Sequence, residues 1–241
     1  MTADAKQRVA ALLDLAEDRL RDGYRTERQA RTFSDDGEKR PANVQAPSIT
    51  GDSLERVSLE VGSCEACILA RTRRNTVPGE GAQNPLVLVI GEGPGADEDA
   101  SGRPFVGKAG QLLDKMLAAV GLSRENNCFI ANLVKCRPPG NRDPEPGEVS
   151  ACAVFLARQI TLLKPKIILS VGRVPTQNLL KTTEGIGRLR GRFVDYQGIP
   201  LLPTYHPSAL LRDETLKRPA WEDLKLLKAR LDDNPSAGMA P

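Results

Sequence analysis

The stretch LVLVIGEGPG, Leu86–Gly95, runs five apolar residues straight into a glycine–proline turn that carries one carboxylate, Glu92. An unbroken apolar run of this length, closed by Gly and Pro, is the pattern of a strand buried on both faces. Strands of that kind belong to parallel sheets covered by helices, so this stretch decides the fold class. The sequence on either side agrees. KAGQLLDKMLAAVG (Lys108–Gly121) has helical spacing and a glycine stop. CFIANLVKC (Cys128–Cys136) reads as a second strand, and PGEVSACAVFLARQITLLKP (Pro146–Pro165) as a helix opened by proline and ended before one. KIILSVG is a third strand, VPTQNLLK a helix, RFVDYQGIPLLPTYHP a hairpin with a final strand end, and AWEDLKLLKARL a closing helix. Strand and helix alternate. The expectation is an α/β protein, a three-layer α/β/α sandwich around a central four-stranded, mostly parallel sheet.

Upstream the pattern is different. Residues 5–22 have apolar positions at helical spacing, and residues 25–53 are polar and charged with few large apolar side chains, as in a linker. SLERVSLEVGS (Ser53–Ser63) is a further helical segment leading into Cys64. The expected organisation is a helix and polar linker over 1–50, a catalytic domain over 51–231 and a polar tail over 232–241.

The chain has 241 residues, 40% of them hydrophobic, and a net charge of +3. No apolar run approaches the ~20 residues of a membrane span, and the N-terminus has no apolar signal region. A soluble, cytoplasmic monomer with no membrane partner is expected. The small net charge does not by itself call for nucleic acid. However, RTRRN (Arg71–Asn75) and GRLRGR (Gly187–Arg192) are dense basic clusters, either solvated loops or phosphate contacts.

Sites in open α/β sheets form at the carboxyl ends of strands. Three such ends carry chemistry: GEGPG, NLVKCRPPG and PTYHPSALLR. Glu92, in the first, can orient or activate a water, or merely cap the next turn. Asn132, in the second, offers a donor and an acceptor in one plane, suited to a base edge. His206, the single histidine, lies in the third, where it can donate to developing negative charge. Phe105 lies in a glycine-flanked loop that is expected to turn it outward for stacking on a base; core packing is the alternative.

The same loop, SGRPFVGKAG (Ser101–Gly110), contains G-x-x-x-x-G-K and so comes within one residue of a phosphate-binding loop. Ala109 stands where a Ser or Thr would hold Mg²⁺, Pro104 removes an N–H from the cradle, and the strand ends about ten residues too early. A nucleotidase is therefore disfavoured.

Five cysteines in an intracellular chain argue for metal or chemistry rather than disulfides. Cys64-x-x-Cys67 is a close pair, and Cys136 and Cys152 are separated by fifteen residues. Four thiolates suit zinc, an iron–sulfur cluster, or simply buried reduced cysteines. Cys128, inside a strand, faces the core in this reading.

Together, GEGPGADEDASGRPFVGKAGQLLDKML, ANLVKCRPPGNRDPEPGEVSAC and PTYHPSALLR, with Cys64-x-x-Cys67 upstream, resemble family 4 uracil-DNA glycosylases, the iron–sulfur branch of their superfamily. The resemblance runs from about Ser63 to Leu231. It implies hydrolysis of the N-glycosidic bond of uracil in single- or double-stranded DNA, leaving an abasic site for base excision repair. It also implies a structural 4Fe–4S cluster on Cys64, Cys67, Cys136 and Cys152. By matching positions, Glu92 attends the attacking water and Glu92, Gly93 and Pro94 line the uracil pocket. Phe105 stacks on the base, Asn132 reads its edge, His206 meets its O2, and Glu98 excludes the thymine methyl. Arg71, Arg73, Arg74, Ser208 and Arg212 become candidate DNA contacts, and Leu210 or Leu211 a candidate wedge. The family turn often reads G-E-A-P-G, with an acid following; here Gly93 and Ala96 stand in those places. A related branch traps uracil-DNA covalently through a histidine in an inserted basic loop. KCRPPGNRDPEPGE has neither insertion nor histidine, which favours turnover over a trapping or non-catalytic binding protein.

Overall fold

The computed structural model describes residues 51–233. The helix expected over 5–22, the linker to residue 50 and all but the first two residues of the polar tail lie outside the described residues. Six strands form one sheet: β1 (Glu80–Gly81), β2 (Val87–Gly91), β3 (Cys128–Asn132), β4 (Ile167–Val171), β5 (Val194–Tyr196) and β6 (Ile199–Thr204). Their order is β1-β3-β2-β4-β6-β5. The four central strands, β3, β2, β4 and β6, are parallel, and β1 and β5 pair antiparallel at the edges. The sheet therefore has six strands rather than four. One addition, β5, belongs to the expected hairpin. The other, β1, is a two-residue strand without apolar alternation, which gives no periodic signal.

Eight α-helices are described: α1 (Leu54–Gly62), α2 (Ala96–Ser101), α3 (Lys108–Ala118), α4 (Pro146–Leu163), α5 (Arg173–Leu180), α6 (Ile186–Leu189), α7 (Pro207–Arg212) and α8 (Lys217–Asp232). Every residue of β2, β3 and β4 is buried, because helices cover both faces. Val87 and Val89 of β2 pack with Leu113 and Leu117 of α3 and Leu224 and Leu227 of α8. Leu88 and Ile90 point the other way, toward Leu156 and Ile160 of α4 and Leu179 of α5. Each such fully buried Leu or Ile side chain contributes roughly 1.5–3 kcal/mol. No helix among the described residues is long and apolar enough to cross a membrane.

From β2 the chain passes to β3 on one side and later to β4 on the other, so strand order reverses at β2. Ligands in open α/β sheets bind at such a reversal, beyond the strand carboxyl ends. Gly91 and Glu92 stand at that point.

A third apolar cluster buttresses the sheet. Val57 and Val61 of α1 pack with Leu69, Val134 and Phe155. Arg158 of α4 holds α1 by ion pairs to Glu60 and, at 2.7 Å, to Asp52.

Candidate active site

A cleft of about 640 Å³ opens at the carboxyl ends of the parallel strands. Glu92, Gly93, Pro94, Glu98, Phe105, Asn132, His206, Ser208 and Arg212 all line it, so residues more than a hundred positions apart meet at one place.

Just before Glu92, at the end of β2, stands Gly91, the parallel partner of Asn132. A Cβ on Gly91 would sit 2.4 Å from Asn132 Oδ1 and 2.5 Å from Phe105 Cζ. No side chain fits there, and this glycine was missed by the sequence reading. The end of an apolar run that must still admit neighbours is the signal that could have found it. Asn132 is 1% exposed, and its Oδ1 has no hydrogen-bond partner. A buried unsatisfied acceptor costs about 1–3 kcal/mol, so this atom calls for a donor from a ligand.

Phe105 corrects an expectation. It does not point outward; it is buried, with its ring over Gly91 and 5.7 Å from the His206 ring. Its φ is 52°, rare for a residue with a side chain. Two groups hold this conformation. Arg124, itself buried, donates to the carbonyls of Pro104 at 2.9 Å and Phe105 at 3.0 Å, and pairs with Asp114 at 2.7 Å. Glu98 accepts from the N–H groups of Val106 at 2.8 Å, Gly107 at 2.9 Å and Gly95 at 3.0 Å. Gly110 completes the fit, since a Cβ there would lie 1.9 Å from the Phe105 carbonyl oxygen. The Glu98 carboxylate thus occupies the amides that a phosphate loop would turn to its ligand, a second reason against a nucleotidase.

His206 precedes α7. Its Nδ1 accepts from the Ser208 N–H at 3.1 Å and meets the Ser208 hydroxyl at 2.7 Å. A backbone N–H can only donate, so Nδ1 is an acceptor and the ring proton sits on Nε2. Burial, with Arg212 adding to it, pushes the imidazolium pKa down to about 4. His206 is a neutral donor. Ser208, expected at a phosphate, is committed to orienting this ring.

Burial pushes Glu92 up to about 7, and the like charge of Asp143 adds to the rise while Arg173 opposes it. Neither partner was singled out in the sequence. Asp143 lies in a polar loop between β3 and α4, where its pattern is that of any solvated turn.

The other candidate contacts separate. Arg71 and Arg74 are exposed. Arg73 turns inward, donating to the Cys64 carbonyl at 2.7 Å and to Cys136 Sγ at 3.4 Å; it is a partner of the cysteines rather than of phosphate. Leu210 is 1% exposed, packed in the core beside Leu113 and Leu117. It cannot enter DNA, because leaving the core would open a cavity. Leu211, its neighbour, is exposed.

Cys64, Cys67, Cys136 and Cys152 ring a separate, largely apolar hollow closed by Val61, Ala66, Ala70 and Phe155. Cys64 and Cys67 follow α1, Cys136 follows β3, and Cys152 lies in α4. Among the described residues no three His, Cys, Asp or Glu side chains are gathered for a single metal ion. Burial pushes the Cys152 thiol up to about 11 and raises Cys136, so thiolates here need a bound cation. Four sulfurs with no carboxylate or imidazole, and with Arg73 and Lys135 nearby, form a donor set that fits an anionic iron–sulfur group. Cys128 lies apart from them, wholly buried in the main core.

The family model described as Uracil DNA glycosylase superfamily matches residues 78–225. The type-4 uracil-DNA glycosylase of Saccharolobus solfataricus is 44% identical over 193 residues, 76% of this chain and 89% of its own. That of Thermotoga maritima is 42% identical over 180 residues, 73% of this chain and 93% of its own. A type-5 uracil-DNA glycosylase of Pyrobaculum aerophilum is 33% identical over 152 residues, 56% of this chain and 66% of its own.

Proposed function

Because the chain belongs to the uracil-DNA glycosylase superfamily, we propose that this cleft hydrolyses the N-glycosidic bond of uracil in DNA. The activity is that of a repair hydrolase releasing free uracil and leaving an abasic site. The observation that carries the residue assignment is the buried Asn132 Oδ1 without a partner, close to the Phe105 ring and in the cleft that the neutral His206 also lines.

The base must leave the stack to reach such a pocket. Phe105 supports its face. Asn132 accepts from uracil N3–H and donates to O4, and the Nε2–H of His206 donates to O2. As the C1′–N1 bond breaks, the sugar becomes oxocarbenium-like and the electron pair leaves on uracil as an anion. His206 needs no proton transfer to stabilise that anion; it is a fixed dipole aimed at charge that develops in the transition state. Glu92 orients the water that adds its oxygen to C1′ and offsets the sugar's positive charge, the water's proton passing to Glu92 or solvent. Glu98, besides fastening the Phe105 loop, closes the space where a thymine methyl would enter. Arg71, Arg74 and Arg212 contact phosphates.

Cys64, Cys67, Cys136 and Cys152 would hold a 4Fe–4S cluster, whose contribution is structural: it ties α1 and the following turn to β3 and α4. Glycosidic hydrolysis moves no net electrons, so no step passes through it. Protein purified without air is expected to be brown, with about four irons per chain. Cys128→Ser should keep the iron, and Cys136→Ser should lose it with a lower folded yield. Stoichiometric zinc without iron would overturn the assignment.

The function itself is tested with an oligonucleotide carrying one uracil. Abasic sites and free uracil in several-fold excess over protein are expected. Uracil that stays attached, or a single equivalent of product, would favour a trapping protein instead.

A further inference from the structure

On the β1 side, the sheet stops short of Asn132. Glu80 and Gly81 pair antiparallel with Ile130 and Phe129, and the Ala82 N–H donates to the Cys128 carbonyl at 2.9 Å. In an antiparallel ladder every second pair exchanges hydrogen bonds. Continued two residues beyond the Glu80–Ile130 pair, that register sets Pro78 opposite Asn132, at a bonding position. Proline has no N–H to give. The Asn132 carbonyl, at the end of a strand buried throughout, therefore has no ladder donor on this side.

Lys135 takes that place. Its side chain turns back three residues, Nζ donating to the Asn132 carbonyl at 2.9 Å and to Gln159 Oε1 at 2.6 Å. The Gln159 amide in turn donates to the Pro78 carbonyl at 2.8 Å. Side chains thus satisfy both groups that a ladder pair would have joined. Lysine is almost never buried so completely unless its ammonium is engaged; Lys135 is 1% exposed, and its ammonium is engaged with the backbone of Asn132 itself. The Lys135 N–H donates to Cys152 Sγ at 3.3 Å, and the Val77 N–H reaches the Lys135 carbonyl at 2.8 Å. One residue touches both the strand end at the cleft and the cysteine-bearing helix α4.

We propose that Lys135 is a positioning residue for base reading: its side chain gives Asn132 the hydrogen bond that Pro78 lacks, and its backbone fixes the same point to α4. This rests on the assignment of Asn132 as the group that meets the uracil edge. On the β2 side the strand end is held by the Leu133 N–H, which donates to the Gly91 carbonyl at 2.8 Å. Without Lys135 Nζ it is held from that side alone, and the amide is free to tilt from the plane of the base. Hydrogen bonds weaken steeply with such misalignment.

The experiment is the single-turnover excision rate of the full chain, in saturating excess over uracil DNA, for Lys135→Met, Asn132→Ala and the two combined. Methionine keeps an unbranched apolar side chain and removes the donors. Lys135→Met alone is expected to slow excision roughly 10- to 100-fold, the effect of a displaced contact group. In the Asn132→Ala background no amide remains to be positioned, and the same change is expected to cost less than about threefold, since residues acting through one contact are not additive. Iron content and the Kd for DNA without uracil should stay those of the parent, because the cysteines and the Lys135 N–H are untouched. A parent-like rate in Lys135→Met, or an equal fold loss in both backgrounds, overturns the proposal. So does iron lost in step with the rate, which would make Lys135 a support of the cysteines alone. If Lys135→Met does not accumulate as folded protein, Gln159→Met decides, since it removes the acceptor that steadies Nζ. A loss of about three- to tenfold that disappears in Asn132→Ala is then expected, and a parent-like rate overturns the proposal. Asn132→Ala separates the two levels. Parent-like excision in it overturns the reading of Asn132, and this inference with it; impaired excision there, with a parent-like Lys135→Met, removes only the role of Lys135.

Discussion

His206→Ala is expected to slow single-turnover uracil excision by roughly 100- to 1,000-fold, the effect of removing one donor from a developing anion, while the Kd for uracil DNA stays nearly unchanged. The difference arises from when the charge appears. Bound uracil is neutral, and its O2 is an ordinary acceptor; only as the glycosidic bond breaks does O2 gain negative charge. An interaction that strengthens in the transition state raises the rate without tightening ground-state binding. The imidazole is prepared for this. The Ser208 N–H holds Nδ1 as an acceptor, leaving Nε2–H toward the cleft, and a pKa near 4 keeps the ring neutral. The substitution should not disturb the fold. It retains the Cβ, which is the atom packed 3.1 Å from the Cβ position of Gly172. Rate and Kd are measured on the same uracil oligonucleotide. A parent-like rate would remove His206 from the mechanism; a matching loss in rate and binding would make it a binding group only.

Asn132→Asp is expected to do comparable damage to uracil excision and to narrow the preference for uracil over cytosine. Uracil presents N3–H and O4, a donor beside an acceptor. The amide answers with Oδ1 and NH₂. Cytosine reverses that edge, with N3 an acceptor and N4 a donor. A site built around such hydrogen bonds can discriminate by about 10⁴-fold, because a mismatched edge leaves buried polar groups unpaired. For discrimination the amide must not turn over. Asn132 is nearly inaccessible, and Gly91 and Phe105 close in beside Oδ1. Its strand end is anchored by Lys135, which donates to the Asn132 carbonyl at 2.9 Å and to Gln159 at 2.6 Å. Aspartate keeps the acceptor for N3–H, removes the donor to O4, and supplies an acceptor for cytosine N4–H. Weak cytosine release is the expected gain. Thymine should remain excluded, since its edge is that of uracil and only the methyl, whose exclusion is assigned to Glu98, differs. Matched oligonucleotides carrying U, C or T at one position provide the measurement. Parent-like rates and preference in Asn132→Asp would show that another group reads the base.

The architecture and the general location of the site were legible in the sequence. Apolar runs ending in Gly or Pro, such as Leu86–Gly95 and Lys166–Gly172, can be buried on both faces only in a covered parallel sheet, and chain order alone then puts Glu92, Asn132 and His206 at strand carboxyl ends. The cysteines were legible as a set because their residue type is informative without geometry. Periodicity also marked the helices, since an amphipathic face depends only on local spacing. The two-residue strand β1 lacked that spacing and was missed.

The directions of individual side chains were decided by tertiary structure. Phe105 turns inward because Arg124 and Glu98 grip its loop from nineteen residues downstream and from the preceding helix. Leu210 and Leu211 are identical in type and adjacent in sequence, yet one is core and the other surface; the packing of α7 on α3, not composition, separates them. Arg73 goes to the cysteines while Arg71 and Arg74 stay in solvent. Glu92 acquires its perturbed ionisation from burial and from Asp143 and Arg173, which two different crossovers bring to it. A sequence records which residues can form a buried strand or a helical face. Which carboxylate meets which guanidinium, and which amide oxygen is left without a partner, depends on how crossover connections fold back over the sheet, and those contacts exist only once the sheet has assembled.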